Sequence, residues 1–108
     1  QLSRVLNISK KAEQVTAVDP ALFENDAERA LHEVIEKALP EVDQAIATLD
    51  YERALEALEA TVPSITAYFD GTMIMTDDET VRTNRLSEMK RFAEVIESVA
   101  RFNALTLA

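Results

Sequence analysis

The residue types best suited to chemistry are concentrated between Phe69 and Arg85, in the stretch FDGTMIMTDDETVRTNR. This stretch holds the only glycine of the chain, two of the three methionines, two arginines and four carboxylates. The carboxylates belong to Asp70, Asp77, Asp78 and Glu79. Carboxylate oxygens bind hard divalent cations, and such a cation beside two guanidinium groups would suit phosphoryl transfer. The alternative is structural, with the charges joining two helices.

The spacing of these carboxylates favours the structural alternative. It does not follow the D-x-[DN]-x-[DN]-G pattern of a calcium loop, and the Glu-x-x-His pairs of di-iron bundles are absent. The three consecutive acids suit the positive end of a helix dipole. Arg82 and Arg85 fall near the apolar seam of the following helix, where an unpaired charge is costly, so we expect Asp70 to pair with one of them. The prediction is a structural clasp of Asp70, Arg82 and Arg85, with no metal site.

Other catalytic arrangements lack the residues that they need. His32 is the only histidine and there is no cysteine, so neither a nucleophile–base pair nor a thiolate metal site can be assembled. A single glycine excludes a glycine-rich phosphate loop. We therefore expect His32 to be a surface or boundary residue, and we expect no catalytic residue in the chain.

Helical periodicity of apolar residues covers most of the chain. The predicted segments are residues 2–15, 27–49, 50–71 and 77–101, with short connections and no strand alternation. They predict an all-α, antiparallel helical bundle of about four to five helices. Apolar residues keep their phase across Pro40, which favours one kinked helix, whereas Pro63 either kinks its segment or begins a new helix. In the loop before the last segment, residues 73–75 (MIM) are expected to form an apolar plug.

Capping residues predict where these helices begin. The expected N-caps are Asn25 or Asp26, Asp50, and Asp77 or Asp78. The third segment is expected to end at Gly71, near the position that a C-terminal glycine prefers.

The length and composition set limits on the class of protein. A chain of 108 residues corresponds to one domain with one core. Because the chain does not begin with methionine, we expect residues 1–108 to be a single helical domain and a fragment of a longer chain. No apolar run approaches the ~18 to 20 residues of a membrane span, so no membrane partner is expected. The absence of cysteine fits a cytoplasmic setting.

The charge is distributed unevenly along the chain. The net charge of −9 argues against a general nucleic-acid binder. Residues 1–12 nevertheless carry three basic residues and no acid. At helical spacing, Arg4, Asn7 and Lys11 share the polar face of the first segment, and Lys10 lies at its rim. Lys90, Arg91 and Arg101 would extend this surface if the last segment packs beside the first.

Four stretches of the chain resemble the DALR anticodon-binding domain, in the version carried by the beta subunit of bacterial glycyl-tRNA synthetase. One runs from YFDGTMIM at residues 68–75 to the arginine at position 82 and the NRL at residues 84–86. The others are RVLNISKK at residues 4–11, VDPALFENDAERAL at residues 18–31 and DYERALEAL at residues 50–58. The departures are Thr72 in place of valine, the missing double proline near Pro63, and Arg101 and Asn103 near the end. The related arginyl domain normally ends in a GLxLLGI-like tail, which is absent here, so the glycyl version is preferred.

The resemblance implies a domain that binds the anticodon region of glycine tRNA and supports ATP-dependent attachment of glycine to that tRNA. It implies no cofactor in this domain, since the whole enzyme uses ATP and Mg elsewhere. The implied partners are glycine tRNA, the rest of the beta subunit and the alpha subunit of the synthetase, with no DNA. The predicted RNA contacts are Arg4, Asn7, Lys10 and Lys11, which would bind phosphates and base edges. The alternatives are an ordinary solvent face, a helical module that docks other domains, and an arginyl-type domain.

Overall fold

A computed structural model describes residues 2–12 and 14–107 of the chain, and its side chains up to residue 102. The helices are α1 (Leu2–Ser9), α2 (Asp26–Ala47), α3 (Tyr51–Glu59), α4 (Val62–Gly71) and α5 (Glu79–Leu107), with a 3-10 turn at Pro20–Leu22. No strand occurs in this part of the chain, and the predicted all-α helical bundle is confirmed. No helix in it has the length and apolar character that crossing a membrane requires.

The helix starts follow the capping residues. The side chain of Asn25 accepts a hydrogen bond from Glu28 N at 2.9 Å, and that of Asp50 accepts one from Arg53 N at 3.1 Å. Asp78 caps α5, because its Oδ1 accepts from the backbone of Thr80 at 3.0 Å. These bonds confirm the predicted caps. The caps could be predicted because each one depends only on local sequence.

The two prolines have different effects. A single helix, α2, passes through Pro40, as the unbroken apolar stripe predicts. Pro63 instead lies in the first turn of α4. Backbone N–H groups in a first turn have no intrahelical acceptor, so the missing N–H of proline costs no hydrogen bond there. The third predicted segment is therefore divided into two helices: α3 ends at Glu59, and α4 begins at Val62.

The first helix is shorter than the periodicity predicts. It ends at Ser9, whose Oγ donates to Leu6 O at 2.8 Å. The next two backbone bonds, from Lys11 N to Ile8 O and from Ala12 N to Ser9 O, reach back only three residues and tighten the chain out of the α-helix. Val15 is consequently 60% exposed rather than part of the core.

Two further expectations about apolar residues are wrong. Leu49 belongs to the apolar stripe of the second segment, but α2 ends at Ala47 and Leu49 is 77% exposed in a left-handed turn with φ of 58°. In the predicted apolar plug only Ile74 is buried, whereas Met73 and Met75 are 72% and 46% exposed. Leu49 is misplaced because α2 ends before it, so helical phase no longer applies there. Residues 73–75 lie outside any helix, where neighbouring side chains need not point to the same side.

Apolar side chains from all five helices form one core. The largest fully buried members are Tyr68, Phe92, Leu31, Ile35, Ile65 and Met89. The last helix, α5, contacts α1, α2 and α3 and carries the longest run of buried residues, 84–89. Because α1 packs on α5 with Val5 fully buried, the opposite face of α1 is held outward.

Candidate nucleic-acid interface

The buried Arg85 is the centre of a hydrogen-bonded cluster at the start of α2. Its Nε and Nη2 donate to Glu28 Oε2 and Oε1 at 3.2 and 2.8 Å, a bidentate pair. Its Nη1 donates to Met73 O at 2.6 Å, and Nη2 also reaches Glu24 Oε1 at 2.9 Å. The hydrogen bonds to Glu28 raise the pKa of Arg85. One guanidinium thus joins α5 to the start of α2 and to the loop before α5.

The prediction that Asp70 pairs with Arg85 or Arg82 is wrong. Asp70 is exposed near the end of α4, and Arg85 pairs with Glu28 and Glu24 instead. Arg82, the other residue proposed to pair with Asp70, is half-buried and donates its Nη1 to Thr76 O at 2.9 Å. Sequence reasoning favoured the acid nearest to the loop, whereas the first turn of α2 brings a closer one.

A local signal for Glu28 exists in the sequence. Glu28 follows the N-cap Asn25 by three residues, the position from which a glutamate reaches back over the helix start. Its Oε1 indeed accepts from Glu24 N at 2.9 Å. The side chain is therefore held at the helix end that meets α5, although the capping pattern indicates only its place on α2 and not its pairing with Arg85.

The connection between α1 and α2 is fixed to α5 by two buried polar residues. Asn84 Oδ1 accepts from Asp19 N at 2.8 Å, and Asn84 Nδ2 donates to Asp19 O at 3.1 Å. Ser87 Oγ accepts from Thr16 N at 3.0 Å. These bonds explain why an asparagine precedes Arg85 in the NRL sequence: one amide side chain satisfies both backbone groups of Asp19.

The predicted RNA contacts all lie at the surface. Arg4, Asn7, Lys10 and Lys11 are exposed. The guanidinium carbon of Arg4 lies 4.2 Å from the centroid of the Phe69 ring, so a residue of α4 holds this side chain in a stacked position. Exposure suits both RNA contact and an ordinary solvent face, so the binding role of these four residues stays a prediction.

The other cations of α5 contribute less than expected to this surface. The last helix does pack beside α1. Arg91, however, is paired with Glu36 of α2 and lies 3.8 Å from Glu88 Oε2, which neutralises its charge. Arg101 is exposed and Lys90 is half-buried.

His32 lies at the boundary between core and solvent. Its Nδ1 is 2.9 Å from Glu88 Oε1, and its ring packs edge-on against Phe23 with centroids 5.3 Å apart. Burial raises the pKa of Glu88, although the hydrogen bond with His32 opposes that shift. Within the described residues, no group of three or more acids and histidines could hold a metal ion.

Comparison with known proteins gives one family. The family model described as DALR anticodon binding domain matches residues 1–103. No solved structure matches the chain.

The chain is similar over most of its length to three proteins named glycine–tRNA ligase beta subunit. The one from Streptococcus suis is 48% identical over 104 residues, covering 96% of this chain and 14% of the relative. The one from Halalkalibacterium halodurans is 42% identical over 104 residues, covering 96% and 15%. The one from Rickettsia peacockii is 35% identical over 109 residues, covering 94% and 16%. The chain thus spans only a small part of the length of these curated relatives. Since the family model covers nearly the whole chain, the chain belongs to the DALR anticodon-binding domain family.

Proposed function

We propose that the chain binds the anticodon region of a glycine tRNA, as one domain of a glycine–tRNA ligase beta subunit. The observation that carries the proposal is the family match over residues 1–103. The relatives bearing that name support the choice of glycine tRNA over an arginyl-type substrate. In this proposal, ATP-dependent attachment of glycine, with its ATP and Mg, occurs outside this domain. The other partners are the rest of the beta subunit and the alpha subunit, in the cytoplasm.

The outward face of α1 is the surface best suited to the anticodon. Unpaired anticodon bases are read by stacking and by hydrogen bonds to their edges. Arg4, stacked on Phe69, leaves its outer guanidinium face for a base, and Asn7 offers both a donor and an acceptor. Lys10 and Lys11 follow at the end of the helix, where they would neutralise phosphates.

The acidic residues direct RNA toward this face. The net charge is −9, while residues 1–12 hold no acid. The surfaces of α2 and α3 are rich in exposed glutamate and aspartate, which repel phosphate. RNA that approaches the chain is therefore favoured at α1 and disfavoured at α2 and α3.

Binding to glycine tRNA and to the same tRNA with an exchanged anticodon tests the proposal. Fluorescence anisotropy at low and at physiological salt would give both affinities. We expect tighter binding to glycine tRNA at both salt concentrations, with modest affinity because few phosphates are contacted. Equal affinity for the two tRNAs, lost in parallel as salt rises, would reduce the interaction to non-specific attraction. The domain would then fit the helical docking module better.

A further inference from the structure

A cleft of about 530 Å³ lies beside the predicted RNA face. It is formed by the chain after α1, the loop before α5 and the first turns of α5. The residues that matter for its chemistry are Lys11, Gln14, Met75, Glu79, Arg82 and Thr83. The cleft shares Lys11 with the α1 face, so a ligand bound there is continuous with RNA lying on α1.

Two cations from different segments of the chain line this cleft. Lys11 is exposed beyond the end of α1, and Arg82 reaches the cleft from the second turn of α5. A hydrogen bond of 2.9 Å from Nη1 to Thr76 O anchors the guanidinium of Arg82. Arg29, Arg85 and Arg91 form ion pairs with carboxylates, whereas Arg82 and Lys11 form none within the part of the chain that the structure describes. This pair therefore suits a phosphate.

The remaining walls suit a base. Pockets for small ligands range from about 300 to 1,000 Å³, and this cleft lies within that range. Met75, 46% exposed, provides an apolar flank on which a base ring can lie. Glu79 is exposed at the start of α5, and an ionised carboxylate only accepts hydrogen bonds. It favours a base with an exocyclic amino group and repels the carbonyl that uracil presents at the same edge.

We propose that this cleft binds one unstacked nucleotide of the anticodon loop. Lys11 and Arg82 bind its phosphate, and Glu79 accepts a hydrogen bond from the amino group of its base. The inference rests on the proposed function and adds a subsite from α5 to it. It also explains the exposure of Met75, which would be covered by the base when RNA is bound.

The test of the phosphate contact is the affinity of Arg82→Gln for an anticodon stem-loop of glycine tRNA, measured against salt. We expect about a tenfold loss and a fall of roughly 0.7 in the slope of log affinity against log salt. Arg82→Lys should keep the slope, which a purely structural role of Arg82 would not predict. Arg53→Gln removes the same charge from α3 and should change neither quantity.

The test of the base contact uses the same stem-loop with amino-bearing loop bases replaced singly by uridine. At one position the unmodified chain should lose affinity on this replacement, and Glu79→Gln should abolish the difference. Equal discrimination by Glu79→Gln would overturn the base contact.

An unchanged affinity and salt slope for Arg82→Gln would overturn the subsite. If Arg4→Gln still weakened binding in that case, the proposed function would survive without the subsite. If neither Arg82→Gln nor Arg4→Gln weakened binding, both the subsite and the proposed function would be refuted.

Discussion

Replacing Arg85 by methionine should unfold the chain at a markedly lower temperature. The side chain is 5% exposed, and its partner Glu28 is 2% exposed. Methionine fills similar space but leaves the Glu28 carboxylate buried, with one hydrogen bond from Glu24 N as partial compensation. Breaking a buried pair in this way costs about 3–5 kcal/mol. At roughly 4 °C per kcal/mol, the melting temperature should fall by roughly 12–20 °C.

Thermal unfolding followed by far-ultraviolet circular dichroism measures this effect, with Arg29→Met as the matched control. Arg29 Nη1 lies 2.7 Å from Asp26 Oδ1, but the two side chains are 54% and 103% exposed. An exposed pair contributes about 0–1 kcal/mol, so the control should melt close to the unmodified chain.

The double variant Glu28→Leu, Arg85→Met separates a lost ion pair from lost packing. It removes both charges, and it should be more stable than Arg85→Met alone, because no charge is left buried without a partner. A melting temperature of Arg85→Met equal to that of Arg29→Met would refute the reasoning. Arg85 would then be a surface residue, and a direct role for it in RNA binding would have to be tested.

Two further predictions concern the buried polar residues of α5. Asn84→Ala should lower the free energy of unfolding by about 1–3 kcal/mol and expose residues 15–19 to protease, because both hydrogen bonds to Asp19 are lost. The control Ser98→Ala removes only an exposed bond to Glu94 O and should change neither quantity. Equal protection of the two variants from protease would contradict the assignment. Burial raises the pKa of Glu88 above its ordinary value of 4.5, against the opposing effects of His32 and Arg91 and with a small contribution from Glu36. The protonated form is therefore favoured by folding, so this stabilisation is present below pH 4.5 and is lost as pH rises through the folded pKa. Glu88→Gln should accordingly gain stability relative to the unmodified chain on going from acid to neutral pH, and a melting difference that is independent of pH would contradict this.

Local signals in the sequence predict the helix starts well. Asn25, Asp50 and Asp78 each cap a helix through a bond to a backbone N–H two or three residues ahead. Such contacts depend on few residues, so no knowledge of the tertiary structure is needed to find them. The same holds for Pro63, whose position in a first turn is one of the two options that its backbone permits.

Long-range partners are not determined by local pattern. Arg85 and Glu28 are separated by 57 positions, and their meeting depends on how the start of α2 packs against α5. The sequence predicts that a buried arginine needs an acceptor but does not indicate which of many acids supplies it. The cleft between Lys11 and Arg82 was missed for the same reason, since its walls come from segments far apart in the chain.

The most direct test of the account compares two charge-matched triple variants for binding to glycine tRNA. One replaces Arg4, Lys10 and Lys11 by glutamine, and the other makes the same change at Arg29, Lys37 and Arg53, which are also exposed and lie on α2 and α3. Both have the same net charge, so a difference between them reports position alone. We predict that the α1 variant loses most of its affinity and roughly two units of salt slope, while the α2–α3 variant binds almost as the unmodified chain does. Equal losses in the two variants would contradict the assignment of α1 as the RNA-binding face.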